Sequence, residues 1–133
     1  MGVIQVSSKV AVSPSMQDYL KAILNLSELN GQVRVTDIAE HLGVAKPSVH
    51  QAATQLAKAG LVVHEKYGPL ELTEKGLETA KSVRDKHSML VKFFVEVLGV
   101  DSETAHQDAC LIEHAISPVT MENLIKHFKE YTR

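Results

Sequence analysis

The 133-residue sequence contains one cysteine, no long apolar run and little net charge. A single cysteine, Cys110, excludes an intramolecular disulfide and is typical of proteins kept in a reducing cytoplasm. A membrane helix needs about 20 consecutive apolar residues, and residues 1–12 contain no apolar stretch of signal-peptide length. We therefore expect a cytoplasmic protein with no membrane partner.

Charge and composition narrow the class of protein further. Fourteen Lys and Arg residues stand against sixteen Asp and Glu, which gives a net charge of -2. This balance does not indicate a nonspecific nucleic-acid binder, which is usually strongly basic. The sequence has no internal repeat, and its 44% hydrophobic content predicts a folded protein of one domain, or of two small domains sharing a core.

Apolar periodicity and helix-terminal residues predict six helices and one hairpin. The first three helices are predicted over residues 14–30, 37–41 (capped by Thr36) and 46–59. Strands over 61–63 and 70–72 would form the hairpin. Thr73 would begin a long helix that runs unbroken to about Leu98, and two further helices are predicted over 102–115 and 118–131.

The order of helix, short helix, tight turn at Gly43, helix and hairpin is that of a winged helix-turn-helix. We therefore predict a mainly α protein in three parts. Residues 1–12 form a flexible arm, residues 13–76 a winged helix-turn-helix DNA-binding domain, and residues 77–133 an α-helical metal-binding and dimerisation domain.

The recognition helix of such a domain presents its N-terminal, non-core side chains to the major groove of DNA. Residues farther along the helix and near the wing are better placed for phosphates. The predicted DNA-binding residues are Lys46, Pro47, Ser48, His50, Gln51 and Thr54 on the helix, with Arg34, Lys58, Lys66 and Tyr67 for the backbone.

Four residues with metal-binding side chains share one helical stripe in the second half of the chain. His106, Cys110, Glu113 and His114 stand at positions i, i+4, i+7 and i+8, which lie on one face of a helix. Imidazole, thiolate and carboxylate together favour a borderline transition metal over Ca²⁺ or Mg²⁺. A mononuclear site needs ligands from another helix, and His87 and Asp18 are the candidates.

The same stripe is also compatible with a protein that binds no metal. A lone cysteine on an amphipathic helix is often a small buried hydrophobe. The main alternative is a metal-independent winged-helix regulator whose helical half binds a small molecule or a partner protein. An enzyme is not expected, because Cys110 and His114 as helical neighbours offer no oxyanion hole and no third group to orient the base.

Several segments resemble the diphtheria toxin repressor and manganese transport regulator family of metal-dependent repressors. The resemblance covers residue 14 to about residue 133, and its most specific segments are 14–20, 35–40, 70–76 and 106–114. It implies a winged helix-turn-helix followed by a helical dimerisation domain, with metal bound between them. It also implies a homodimer that represses metal-uptake genes when Fe²⁺ or Mn²⁺ is abundant.

The resemblance also implies metal ligands at individual positions. Asp18 matches an aspartate of the manganese branch, whereas Cys110 matches the cysteine of the iron branch. Glu113 and His114 match the Glu and His that both branches share. His87 and His106 match two histidines of the iron branch's ancillary site, and the first of them is also a ligand position in the manganese branch.

Three departures from the family pattern bear on the metal site. Lys21 replaces a second first-helix glutamate of the manganese branch, and Val91 replaces a carboxylate of the ancillary site. The sequence ends at Arg133, so we expect the two-domain form without the SH3-like domain. The expected main site is Asp18, Cys110, Glu113 and His114.

We expect Fe²⁺ as the favoured ion and Mn²⁺ as second, with Co²⁺, Ni²⁺ or Zn²⁺ able to bind in vitro. The apolar stripe Leu90, Phe93, Phe94, Val97 and Leu98 predicts that the helices of residues 83–131 form a two-fold dimer interface. A two-fold dimer predicts a palindromic operator in double-stranded DNA.

Overall fold

The computed structural model describes residues 13–66 and 68–131. The predicted arm of residues 1–12 lies outside the described residues, as do Tyr67 and residues 132–133. The chain forms two units, residues 1–80 and residues 81–133, and each is described by itself.

The described residues confirm a mainly helical fold with one small hairpin. The elements are α1 (Pro14–Asn30), α2 (Val35–Leu42), α3 (Lys46–Lys58), β1 (Val62–His64), β2 (Leu70–Leu72), α4 (Glu74–Lys92), a π-helical turn (Phe93–Val97), α5 (Ser102–Ile112) and α6 (Pro118–Tyr131).

Capping residues fix the ends of α1 where the sequence predicts them. The Ser13 hydroxyl accepts a hydrogen bond from the Met16 N–H at 3.2 Å, which satisfies one of the donors that a helix start leaves unpaired. Pro14 occupies the first helical position, where its missing N–H costs no hydrogen bond. Gly31, with a positive φ of 84°, ends the helix.

The second helix begins two residues earlier than predicted. The Arg34 N–H donates to the Asp37 carboxylate at 3.0 Å, so Arg34, rather than Thr36, caps the helix. Gly43 ends α2 in the left-handed conformation, at φ 68° and ψ 36°, which glycine adopts without steric cost. This turn directs the chain from α2 into α3.

The core of the first unit joins α1, α2 and α3 to the start of the hairpin. Its largest fully buried side chains include Leu20, Ile23, Ile38, Leu56 and Leu61. Each such side chain contributes about 1.5–3 kcal/mol through the area it removes from water. The buried face of α3 is therefore fixed by packing, and its opposite face is left to solvent.

The hairpin pairs β1 with β2 in antiparallel register, with Val62 opposite Leu72 and His64 opposite Leu70. Leu70 also pairs with Val33, whose carbonyl accepts the Leu70 N–H at 2.8 Å. The wing is thus attached to the segment between α1 and α2.

A close approach between backbones holds the end of the hairpin against the start of α4. The Thr73 hydroxyl donates to the Gly60 carbonyl at 2.7 Å and accepts from the Gly76 N–H at 3.0 Å. Any Cβ at position 76 would collide with the Leu61 carbonyl. Glycine is therefore required at position 76, inside a helix, where it is otherwise unfavourable.

The second unit contains the rest of α4, the π-helical turn, α5 and α6. The predicted unbroken helix to Leu98 changes instead from α to π geometry at Phe93, and the Leu98 N–H donates to the Phe93 carbonyl at 3.3 Å. Leu90 is buried with Ala109 and Met121. Part of the predicted apolar stripe is thus covered within the unit, whereas Leu98 remains 58% exposed.

None of the helices in residues 13–66 and 68–131 has both the length and the apolar character needed to cross a bilayer.

Candidate metal centre and nucleic-acid interface

The helix α5 positions the first two residues of the predicted metal stripe. Asp101 caps it by accepting the Thr104 N–H at 3.0 Å. Hydrogen bonds from the backbone and hydroxyl of Thr104 hold the pKa of the Asp101 carboxyl below its ordinary value. His106 and Cys110, four residues apart on this helix, lie on the same face.

The other two residues of the stripe lie just past the regular helix. The helix ends at Ile112 instead of continuing to about Ala115 as predicted. Glu113 occupies the C-cap, with its N–H donating to the Ala109 carbonyl at 2.9 Å, and His114 lies in the following turn. Glu113 keeps helical backbone angles, with φ -56° and ψ -26°.

His87, on α4, contacts two residues of the stripe at once. Its Nδ1 is 2.7 Å from the Glu113 Oε1, and its Nε2 is 3.1 Å from the Nδ1 of His106. Both distances are hydrogen-bond distances, so one imidazole connects a carboxylate to a second imidazole.

Two more donor atoms lie within contact distance of this group. The Nε2 of His114 is 3.3 Å from the other carboxylate oxygen of Glu113. The Sγ of Cys110 is 4.0 Å from the Nδ1 of His87. The cysteine is exposed, so it is not a small buried hydrophobe.

The electrostatic centre of this cluster is the Glu113 carboxylate, whose side chain has no exposed area. A carboxylate removed from water is costly unless hydrogen bonds or a cation compensate it. Two imidazoles approach its two oxygens. Imidazole nitrogens, a carboxylate and a thiol form a donor set that fits a divalent transition metal.

The structure thus brings together five of the six predicted metal ligands within residues 81–133. Asp18, the sixth, belongs to the first unit and is partly buried on α1. Lys21 lies one turn farther along the same helix and is also partly buried. While protonated, its ammonium group has no lone pair to offer a metal.

The predicted recognition helix α3 has one buried and one exposed face. Val49, Ala52, Ala53 and Leu56 are buried. The predicted DNA contacts on this helix are all exposed, namely Lys46, Pro47, Ser48, His50, Gln51, Thr54 and Lys58. The Thr54 hydroxyl donates to the His50 carbonyl at 3.0 Å. Its oxygen can therefore still accept a hydrogen bond from another donor.

The remaining predicted DNA contacts lie outside α3. Arg34 caps α2 and is exposed, and Lys66 is exposed in the turn after β1. Tyr67 lies outside the described residues.

His64, which sequence reasoning did not single out, lies beside the recognition helix. Its ring centroid is 6.0 Å from that of His50, and the ring planes are inclined by 31°. A weak signal was present in the sequence, because His64 stands two residues after the apolar Val62 and so shares a strand face with it. The contact itself requires the tertiary structure.

Two family models together cover almost all of the chain. Residues 11–70 match the "Iron dependent repressor, N-terminal DNA binding domain". Residues 73–133 match the "Iron dependent repressor, metal binding and dimerisation domain". The chain belongs to the iron-dependent repressor family. As a member of it, the protein is a metal-responsive transcriptional regulator, which confirms the resemblance in the sequence.

Curated relatives of this repressor family match over most of their own length. An uncharacterised HTH-type transcriptional regulator of Methanocaldococcus jannaschii is 40% identical over 114 residues, which are 85% of this chain and 91% of the relative. The HTH-type transcriptional regulator MntR of Bacillus subtilis is 37% identical over 121 residues, which are 89% of this chain and 84% of the relative.

Solved structures of similar repressors share the fold. The manganese regulator SloR superposes with a TM-score of 0.76 at 31% identity, over 90% of this chain and 55% of that one. A manganese-dependent transcriptional repressor in complex with manganese gives a TM-score of 0.75 at 33% identity, over 82% and 50%. This chain spans about half the length of these two solved chains.

Replacing the buried carboxylate tests the metal centre of this repressor. Glu113→Gln keeps the side-chain shape but removes the charge that faces His87 and His114. We expect the affinity for Mn²⁺ or Co²⁺ to fall more than about 100-fold, because even second-shell changes cost 10–100-fold. Isothermal titration calorimetry under anaerobic conditions measures this, with Asp108→Asn, a change at an exposed position of α5, as the control. Equal affinities for Glu113→Gln and the wild type would exclude Glu113 as a ligand.

A pair of substitutions tests the nucleic-acid interface. Gln51→Ala should change the preferred DNA sequence at a cost of about 1–3 kcal/mol, as expected for loss of a bidentate base contact. Lys66→Ala should weaken binding to all sequences alike and reduce the dependence on salt, because a phosphate contact releases counterions. Fluorescence anisotropy with specific and random duplexes at several salt concentrations separates the two. Unchanged binding of both duplexes by Gln51→Ala would contradict this placement of α3.

Proposed function

We propose that the protein represses metal-uptake genes as a homodimer that binds a palindromic operator in the cytoplasm when Fe²⁺, or with second preference Mn²⁺, is bound. The observation that carries the proposal is the cluster of five potential metal ligands that includes the buried Glu113 carboxylate. The alternative, a metal-independent regulator, would leave this cluster of potential metal ligands without a function.

The proposed main site consists of Glu113 and His114 with Cys110 and Asp18. Glu113 and His114 are supported by their contact at 3.3 Å and by the family pattern. Cys110 is supported by the position of its Sγ near His87. Asp18 is proposed on the resemblance alone.

His87 and His106 are proposed as secondary ligands. Their mutual contact at 3.1 Å and the 2.7 Å contact between His87 and Glu113 link them to the main site. Val91, one turn after His87, offers no donor atom where the ancillary site of the iron branch has a carboxylate. A complete second site would therefore need ligands from elsewhere.

The proposed preference for Fe²⁺ follows from the donor atoms. Oxygen and imidazole suit Mn²⁺, whereas a thiolate is a softer donor that favours Fe²⁺ and later transition metals. The two solved repressors that are named for manganese are separate proteins, 31% and 33% identical to this chain. Cys110 is the residue that distinguishes this chain from the manganese branch at that ligand position.

We propose that the ion acts by linking the two units. A cation held jointly by Asp18 on α1 and by Glu113 and His114 would favour one arrangement of the DNA-binding unit over others. Such a shift requires a higher affinity for the metal in the DNA-binding arrangement. The proposed ligands all lie outside α3, so the exposed face of that helix needs no internal rearrangement.

Dimerisation supplies the second recognition helix. The second unit exposes several large apolar side chains, namely Leu98, Leu111, Ile112, Val119 and Tyr131. Apolar surface of this kind is typical of subunit interfaces, and the matching family model is a dimerisation domain. Two α3 helices about 34 Å apart would read successive major grooves, which gives the palindromic operator.

Metal-dependent DNA binding tests the proposed function directly. An operator selected from random duplexes by the wild-type protein should be bound tightly with Fe²⁺, more weakly with Mn²⁺ and little without metal, under anaerobic conditions. Cys110→Glu should narrow the difference between Fe²⁺ and Mn²⁺, because it replaces a soft donor with a hard one.

The matched control is Gln107→Glu, which adds a negative charge at an exposed position of α5. It should leave the ratio of Fe²⁺ to Mn²⁺ response unchanged. An equal response of the wild type to both ions would contradict the iron preference and leave the repressor assignment intact. Equal DNA binding with and without metal would contradict the assignment itself.

A further inference from the structure

Two histidines meet at the surface of the first unit that the proposed function assigns to DNA. His50 is exposed on α3, and His64 is half-buried at the end of β1. Their ring centroids are 6.0 Å apart, with the planes inclined by 31°. An inference from this pair rests on the proposed function, because it concerns how α3 reads DNA.

The course of the chain between α3 and β1 brings the two rings together. α3 ends at Lys58, Gly60 takes a positive φ of 77°, and the Leu61 N–H donates back to the Leu56 carbonyl at 2.9 Å. This tight reversal packs β1 against α3. The wing is therefore held at a fixed distance from the recognition helix.

Strand periodicity turns His64 towards the helix. Val62 is buried and Val63 is 53% exposed, so alternate residues of β1 face the core and the solvent. His64 shares the inward face with Val62, at the rim of the core. Its ring therefore lies next to α3, where it meets the ring of His50.

The contact leaves the polar atoms of His50 available. Within residues 13–66 and 68–131, neither imidazole takes part in a hydrogen bond. The two side chains interact with each other through the contact between their rings. An exposed side chain on a helix samples several rotamers, and packing against a second ring restricts that sampling. Restricting a side chain before it binds reduces the entropy lost on binding.

We propose that His64 is a positioning residue for base recognition. Its ring holds the His50 imidazole in the orientation that directs a ring N–H to the N7 of a purine in the major groove. A neutral imidazole has one N–H donor, and both guanine and adenine present N7 as an acceptor in that groove. In this arrangement His64 contacts His50, and the exposed Lys58 and Lys66 provide the charge for phosphates.

The test uses the metal-loaded full chain and its selected operator, with each purine replaced in turn by its 7-deaza analogue. The analogue keeps base pairing and lacks the N7 acceptor. One purine in each half-site should show a loss of about fivefold in wild-type affinity, the size expected for one hydrogen bond. His50→Ala should abolish this loss at that purine.

Variants of His64 separate positioning from direct contact. His64→Ala and His64→Gln, which lack the ring, should also abolish the 7-deaza loss at the same purine. His64→Phe, which keeps a ring but has no nitrogen, should retain it. The double variant His50→Ala/His64→Ala should resemble His50→Ala alone, because the two residues act as a unit.

His41→Ala removes a different exposed histidine of the same unit and should behave as the wild type. Metal affinity should be unchanged in all His64 variants, and thermal unfolding identifies any variant that does not fold. Should His64→Ala fail to fold, His64→Gln and His64→Phe still give opposite results if the proposal holds.

Two results would overturn the proposal. A 7-deaza loss that persists in the ringless variants would show that the wing acts without orienting His50. A loss abolished equally in His64→Phe would show that a nitrogen of His64, and not its ring, is needed. Absence of metal-dependent operator binding by the wild type would instead contradict the proposed function, so the two failures are distinguishable.

Discussion

A carboxylate removed from water is the constraint on which the candidate metal centre depends. Glu113 lies at the end of α5 with no exposed side-chain area, and His87 and His114 approach its two oxygens. A buried anion demands positive charge or hydrogen-bond donors close by. A bound cation meets that demand with a full positive charge, which makes the Glu113 carboxylate a suitable ligand for a metal ion.

In the DNA-binding unit, helix periodicity places the residues that pack the core and the residues named as DNA contacts on opposite faces of α3. The inward residues of α3 are small or branched, as in Ala52, Ala53 and Val49, and this permits close packing against α1 and α2. The outward residues named as DNA contacts are exposed. A change in these residues would therefore leave the core, and with it the position of the helix, the same.

Local signals allow most of the fold to be predicted from sequence. Ser13, Gly31, Gly43 and Asp101 are capping or turn residues, and each ends or begins a helix as expected. The π-helical turn at Phe93 has no such signal, because apolar spacing cannot distinguish one extra residue in a turn from a regular helix. Apolar spacing does not predict the early end of α5 either.

The candidate site is predictable in its residue types but not in its contacts. The spacing of His106, Cys110 and Glu113 predicts a shared face, and the structure brings their side chains together around His87. The burial of Glu113 and the exposure of Cys110 depend on tertiary packing, which spacing does not describe. The contact between His50 and His64 likewise joins a helix to a strand, and strand periodicity alone does not identify the partner.

If bound metal raises the affinity for the operator, bound operator must raise the affinity for the metal by the same factor, because the coupling free energy between two sites is reciprocal. The most direct measurement is therefore the affinity of the full chain for Fe²⁺, by anaerobic competition with a fluorescent chelator, with and without saturating operator. We expect operator DNA to tighten Fe²⁺ binding by the factor by which Fe²⁺ tightens operator binding, roughly 5–150-fold. The same Fe²⁺ affinity in the presence and absence of the operator would contradict a metal-controlled repressor.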